Sequence, residues 1–339
     1  MKELNKKRIL WIDYAKALAM FFVIFGHVNS GNYLTNWIYS FHMPLFFLLS
    51  GITLKAYRGG WSQYVFKLSK RILIPYFGYS ILYFLYDLMQ VILLHKDINL
   101  VKAFIGIFIQ LRGTEYTVGL WFLPLLFLTE ILVYLIVLQN DKIQIVIMIL
   151  IASIGFSYAS VFKQVLPWGI DAVPIAAIFV WLGYIYKNKF IYQFGNLRKY
   201  VFFAIFPVLL LSIFCCNCNI TILGTSVDMH KMLYGNPLIY LLAAINGIIF
   251  VLIICKMFLD KWNICFLQFV GRNTLHIYCL HGLILSFLKK SYQIFVNRIE
   301  IVDISVILQV IIAIITMLIC MMIIWGFQII SGIFGVKKK

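Results

Sequence analysis

Apolar runs of about twenty residues recur along this chain of 339 residues, and most are closed off by lysine or arginine. A helix of about twenty residues spans the hydrocarbon core of a bilayer. Inside that core every backbone polar group needs an internal partner, so only helices and closed barrels cross it. Barrel strands alternate apolar and polar residues over about ten positions, and these runs do not alternate. The predicted fold class is an all-α polytopic integral membrane protein. Ten transmembrane helices are expected, near residues 9–29, 39–57, 71–94, 118–139, 143–162, 167–186, 200–216, 237–259, 265–288 and 304–330. Composition agrees: 63% of residues are hydrophobic and 12% charged, against roughly half and a quarter in soluble domains.

The net charge of +17 would suit a nucleic-acid partner. The basic residues cluster at helix ends, however, as membrane topology requires, so the expected partner is the lipid bilayer and no nucleic acid. With the N-terminus in the cytoplasm, the inside segments hold Lys2, Lys6, Lys7 and Arg8, then Lys55, Arg58, Lys67, Lys70 and Arg71, and later Lys187, Lys189, Arg198 and Lys199. The outside loops hold the sparser Lys96, Lys102, Arg112, Lys163 and Lys231, and then Lys289, Lys290 and Arg298. Both termini are therefore expected in the cytoplasm. Asp13, Lys16 and His27 interrupt the first apolar run, which argues against a cleaved signal peptide. Residues 1–339 read as a single membrane-embedded domain with no appended soluble domain. Oligomeric state has no signature in the sequence. The cysteine cluster Cys215, Cys216 and Cys218 lies in an apolar run and reads as packing; no metal is expected.

Ionisable residues at membrane depth are costly and mark function by default. The stretch GHVNSGNYLTNWIYSFHMPLFFLLSG, residues 26–51, carries two of them, His27 and His42, either side of a polar loop. A helix rises ~1.5 Å per residue, so residue number converts to depth. His27 lies eleven residues beyond Lys16, ~16 Å further out, near the external end of its helix. His42 and Asp171 stand near the external starts of theirs, and His281 lies ~24 Å along a helix that begins inside. Four proton-handling groups thus share the outer half of the bilayer. Each also has a plainer reading: His27 and His42 as wetted interfacial residues, His281 as a bonded core histidine, Asp171 as a helix cap.

The inner half has different chemistry. Lys16 follows Asp13 by three residues and shares a face with it. Arg71 opens the KRILIPY segment, where Pro75 is expected to bend the helix. Lys67 and Lys70 read as snorkelling residues, whereas Lys16 and Arg71 read as an anion site suited to phosphates. A cytosolic anion site beneath an external histidine cluster suggests transfer across the membrane. Trp121 and Trp168 stand at external helix starts, as interfacial anchors or as platforms for a sugar ring.

The segment WIDYAKALAMFFVIFGHV resembles the first-helix motif of the acyltransferase-3 family of membrane O-acyltransferases, a basic residue and a histidine with ten residues between them. That motif reads Lys16-x10-His27 in this chain. Many members carry arginine at the first position; lysine keeps the charge and loses the two-pronged hydrogen-bonding fork. Further similar blocks follow in order: YSFHMPLFFLLSG (39–51), KRILIPY (70–76), GLWFLPLLF (119–127), PWGIDAVPIAAIFVWLG (167–183) and GRNTLHIYCLH (271–281). Several of them look closest to the fucose 4-O-acetylase-like branch, whose members modify cell-surface glycans.

The resemblance implies a multi-pass protein of the bacterial cytoplasmic membrane. Its donor would be acetyl-coenzyme A bound from the cytoplasm, and its acceptor a hydroxyl of a glycan or lipid-linked sugar. His27 would act as general base or as transient acyl carrier. His42 or Asp171 would orient or shuttle the proton, His281 would polarise the carbonyl or bind the acceptor, and Lys16 and Arg71 would hold coenzyme A phosphates. Ser50 is a further possible nucleophile, deeper in the membrane, and Ser50 and Gly51 suit close helix packing. A transporter or flippase for a lipid-linked sugar, and a non-catalytic envelope assembly protein, are the alternative classes.

Overall fold

A computed structural model describes residues 9–28, 32–54, 60–188, 198–224, 226–296 and 306–333. The helices in chain order are α1 (Leu10–Val28), α2 (Tyr33–Tyr39), α3 (His42–Thr53), α4 (Gly60–Leu94), α5 (Leu100–Ile109), α6 (Phe122–Ile136) and α7 (Asp141–Val161). A tight 3-10 turn, Pro167–Ala172, leads into α8 (Val173–Asn188). Next come α9 (Arg198–Leu223), α10 (Pro237–Ile253) with a π-helical extension over Ile254–Leu259, α11 (Cys265–Arg272), α12 (Thr274–Val296) and α13 (Val306–Ile333). Among the described residues there is no strand beyond an isolated bridge between Asp228 and Leu233. The protein is an all-α polytopic membrane protein.

Asparagine side chains start several of these helices. Asn32, Asn99 and Asn140 accept the free N–H of Thr35, Lys102 and Ile143 at 2.8, 3.0 and 3.0 Å. Asn236 does the same for α10, with Pro237 in the first turn. Each satisfies a donor that a helix start otherwise leaves unpaired.

Seven of the helical segments are long and apolar enough to cross a membrane. They match seven of the expected spans, and the remaining three differ in an informative way. The span expected over residues 39–57 breaks at Ser40, whose hydroxyl turns back to the Trp37 carbonyl at 2.7 Å, leaving α3 with only 12 residues. The span over 118–139 shortens to α6, and the one over 265–288 divides at Asn273. Non-helical backbone at membrane depth is tolerated only where protein buries it or a cavity needs it. The breaks at Ser40 and Asn273 lie next to the polar cavities described below. The short apolar helix α5 was not expected. The helix through Pro75 begins already at Gly60 and runs unbroken to Leu94, with proline in its interior.

Helix α1 runs through the middle of the bundle, against α3, α11, α12 and α13. Helices α3 and α8 cross so closely that a methyl group on Gly51 would strike the Val180 backbone, and one on Gly183 the Leu48 backbone. Small residues permit that approach, as in many membrane helix pairs. The outward faces of α4, α7, α9 and α13 expose Phe66, Ile149, Phe206 and Ile307 among other large apolar side chains, as lipid contact requires. Cys215 and Cys216 are buried on α9, where the thiol of Cys216 points to the Asn36 carbonyl.

Candidate active site

His27 stands in the last turn of α1 and opens onto a cavity of about 410 Å³. His42, the first residue of α3, lines the same cavity with Tyr39, Trp121, Tyr278 and a polar loop carrying Asp228, His230 and Lys231. The His281 ring, buried on α12, lies against His27 with centroids 5.2 Å apart and planes tilted by 41°. His42 Nδ1 is 2.9 Å from the Ile38 carbonyl, and His281 Nδ1 is 2.5 Å from the Tyr278 carbonyl. A carbonyl only accepts, so each Nδ1 carries a proton and donates it. In the neutral rings Nε2 therefore bears the lone pair. The structure brings His27, His42 and His281 together.

The loop between α9 and α10 folds back over this cavity. Asp228 and Leu233 exchange backbone hydrogen bonds of 2.8 and 2.9 Å. The Asp228 carboxylate accepts the His230 N–H at 2.8 Å and lies 3.8 Å from the Lys231 ammonium. Burial raises the Asp228 pKa; the hydrogen bonds from the loop and the charges of Lys231 and His27 oppose that rise. A carboxylate thus stands within electrostatic reach of His27. His230 is pushed the other way, down to about 4, first by burial and then by the charges of Arg112 and Lys231. It is therefore neutral near pH 7, with its ring meeting Trp121 edge-on at 74°, centroids 5.3 Å apart.

Asp171, expected among the catalytic groups, does not line the cavity. It forms a fully buried ion pair with Arg112, and its other oxygen accepts the Leu166 N–H at 2.8 Å. Arg112 in turn donates to the Met229 carbonyl at 3.1 Å and lies over the Trp121 ring at 5.6 Å. Asp171 is therefore linked to the cavity wall through Arg112, which holds the base of the loop at the Met229 carbonyl. The cause is the turn before α8, where Trp168 and Gly169 adopt left-handed backbone (φ 58° and 73°) and carry Asp171 inward. Arg112, a loop charge by sequence, is drawn into the core by the same pairing.

A second, smaller cavity of about 160 Å³ lies toward the start of α1. Lys16, Ser50, Arg71 and Glu130 line it. The buried Glu130 carboxylate pairs with Arg71 and accepts the Ser50 hydroxyl. Arg71 is thus not a bare anion-binding cation, although its side chain remains 54% exposed at the rim. Asp13, which shares a face of α1 with Lys16, lies 3.9 Å from Arg272. Tyr278 lines both cavities. Its hydroxyl accepts the Phe122 N–H at 3.3 Å and donates to the Gly119 carbonyl at 3.5 Å.

Glu130 and Asp228 were missed by sequence reasoning, although both left a signal. Glu130 is the lone charged residue in its apolar span, and Asp228, His230 and Lys231 crowd a short connection on the His27 side. The inward turn of Arg112 left none. Among the described residues no three His, Cys, Asp or Glu side chains group closely enough to hold a metal ion.

The family model described as an acyltransferase domain, acyltransferase 3, matches residues 9–326. The chain belongs to the acyltransferase-3 family. The match takes in every residue named in the two cavities, from Lys16 to Tyr278, as well as His281. No curated protein and no solved structure matches the chain. This member of the family is a membrane acyltransferase whose histidine cluster and lysine–arginine cavity lie at opposite ends of α1.

Proposed function

We propose that this acyltransferase moves an acetyl group from cytoplasmic acetyl-coenzyme A to a hydroxyl of a cell-surface glycan or its lipid-linked precursor, in the bacterial cytoplasmic membrane. The observation that carries this reading is the shared wall. Tyr278 borders both the cavity with Lys16 and Arg71 and the cavity with His27. A donor reaching in from the first and an acceptor held in the second would meet at that side chain. The charge distribution along the chain supports the first cavity as cytoplasmic and the second as external.

In this reading His27 takes the proton of the acceptor hydroxyl as that oxygen attacks the thioester carbonyl carbon. The tetrahedral intermediate collapses with cleavage of the carbon–sulfur bond. The departing coenzyme A sulfur receives the proton back from His27 and leaves as the thiol. Asp228 stabilises the imidazolium formed in between. The Nε2 lone pairs of His42 and His281 accept hydrogen bonds that orient the hydroxyl and the His27 ring. Lys16, and Arg71 at the rim, draw in the phosphates of coenzyme A, in competition with Glu130 for the arginine. No metal enters this scheme.

The test uses purified full-length protein, acetyl-coenzyme A labelled in the acetyl group, and an extract of envelope glycans. Release of thiol that depends on glycan and on His27, with label recovered on the glycan as an alkali-labile ester, is the expected result. Full transfer by stably folded His27→Ala protein would overturn the role of His27. Movement of a lipid-linked sugar across vesicles without any acyl donor would favour a flippase instead.

A further inference from the structure

A third cavity, of about 400 Å³, lies beside the His27 cavity and is as large. It is framed by the second half of α4, the start of α5, the segment leading to α6, and α12. Gly119 lines both cavities. With no side chain there, the partition between them is peptide backbone, flanked by the Tyr83 ring.

The lining carries a connected polar group. Gln90 donates to the Asp87 carboxylate at 3.3 Å and accepts from the Lys96 ammonium at 2.7 Å, which makes a chain of carboxylate, amide and ammonium. Ser80 is fully buried in the same wall, beside Tyr76. The rings of Tyr83, Phe84 and Tyr86 complete the wall.

These groups discriminate among ligands. An acyl chain would bury the Asp87–Gln90–Lys96 chain against hydrocarbon, at high cost. A phosphate would meet one ammonium already balanced by a carboxylate. A saccharide has alternating donors and acceptors for the polar chain and an apolar face for the rings. We infer that this cavity holds a sugar unit of the acceptor and delivers a neighbouring hydroxyl past Gly119 to His27. The inference rests on the acyl-transfer reading for its role, but its binding step is testable without catalysis.

The experiment introduces Ser286→Cys at the cavity rim, in full-length Cys218→Ser/Cys265→Ser protein that also carries His27→Ala to stop turnover. Maleimide labelling of the new thiol is measured with and without envelope glycan extract. The expected result is shielding by the extract, lost on adding Asp87→Asn and Gln90→Leu. Labelling at the same rate with and without extract, in folded protein, overturns the cavity assignment. In the catalytically intact protein, Gln90→Leu and the cavity-filling Ser286→Trp should raise the acceptor KM by roughly fivefold, the worth of one lost neutral hydrogen bond, with the donor KM unmoved. An unchanged acceptor KM in both folded variants also overturns it. Shielding without any acyl transfer upholds the sugar site and overturns only the acyl-transfer reading.

Discussion

The Tyr278 ring meets Phe122 edge-on, centroids 5.4 Å apart, and among the described residues it is the side chain common to the histidine cavity and the lysine–arginine cavity. Its hydroxyl is held by the Phe122 N–H and the Gly119 carbonyl, so the ring is fixed as a wall. In the proposed reaction, a wall in that position would limit the length of acyl group that fits between donor and acceptor.

Tyr278→Leu should therefore relax chain-length selection. Competition between acetyl- and butyryl-coenzyme A is expected to shift toward butyryl by about tenfold or more, the scale on which pockets sense added methylenes. An unchanged product ratio from folded variant protein would remove Tyr278 as the limiting wall.

In the proposed reaction Glu130 would compete with the donor for Arg71. Glu130→Gln should free the half-exposed guanidinium and lower the KM for acetyl-coenzyme A by up to roughly fivefold, given that such pairs contribute ~0.2–1 kcal/mol. Arg71→Ala should raise the same KM. Donor titrations of both variants decide the matter; if neither moves, Arg71 does not meet the phosphates.

The Arg112–Asp171 pair is fully buried, so removing one partner leaves a charge without compensation. Arg112→Met or Asp171→Asn should destabilise the protein by about 3–5 kcal/mol, and the double change Arg112→Met/Asp171→Leu by less than the two single changes together. Chemical unfolding in detergent measures this. Additive losses would show that the two side chains are not coupled.

His230 has its folded pKa pushed down to about 4 from the usual 6.5, by burial first. The ring is neutral in both folded and unfolded protein above pH 6.5. Between about 6.5 and 4 the unfolded or opened loop takes up the proton and the closed loop does not, so acid favours opening. Its charged neighbours are Arg112 and Lys231, which oppose protonation, and Asp171, which favours it; the buried Asp228 beside it takes up a proton more readily than usual. Trypsin cleavage after Lys231, normalised at each pH to cleavage of an unstructured reference peptide, should accelerate across that range, and His230→Gln should flatten the profile. A step that persists in His230→Gln belongs to another group.

Depth was legible in the sequence and direction was not. The thickness of the hydrocarbon core and the fixed rise of a helix turn residue number into height. That is why Lys16, His27, His42 and His281 could be assigned to opposite ends of the bundle from spacing alone, and why the helical membrane class followed from the apolar runs. Which way a side chain points around its helix, and what reaches it from elsewhere, depends on packing between distant segments. Arg112 meets Asp171 across 59 positions and the Met229 carbonyl across 117; Arg71 meets Glu130 across 59. No local pattern encodes those encounters. Tertiary structure alone decided that Asp171 braces the loop, that Asp228 is the carboxylate near His27, and that one tyrosine borders both cavities. Burial drives each choice: a charge in the core must find its opposite, and the fold determines which one is within reach.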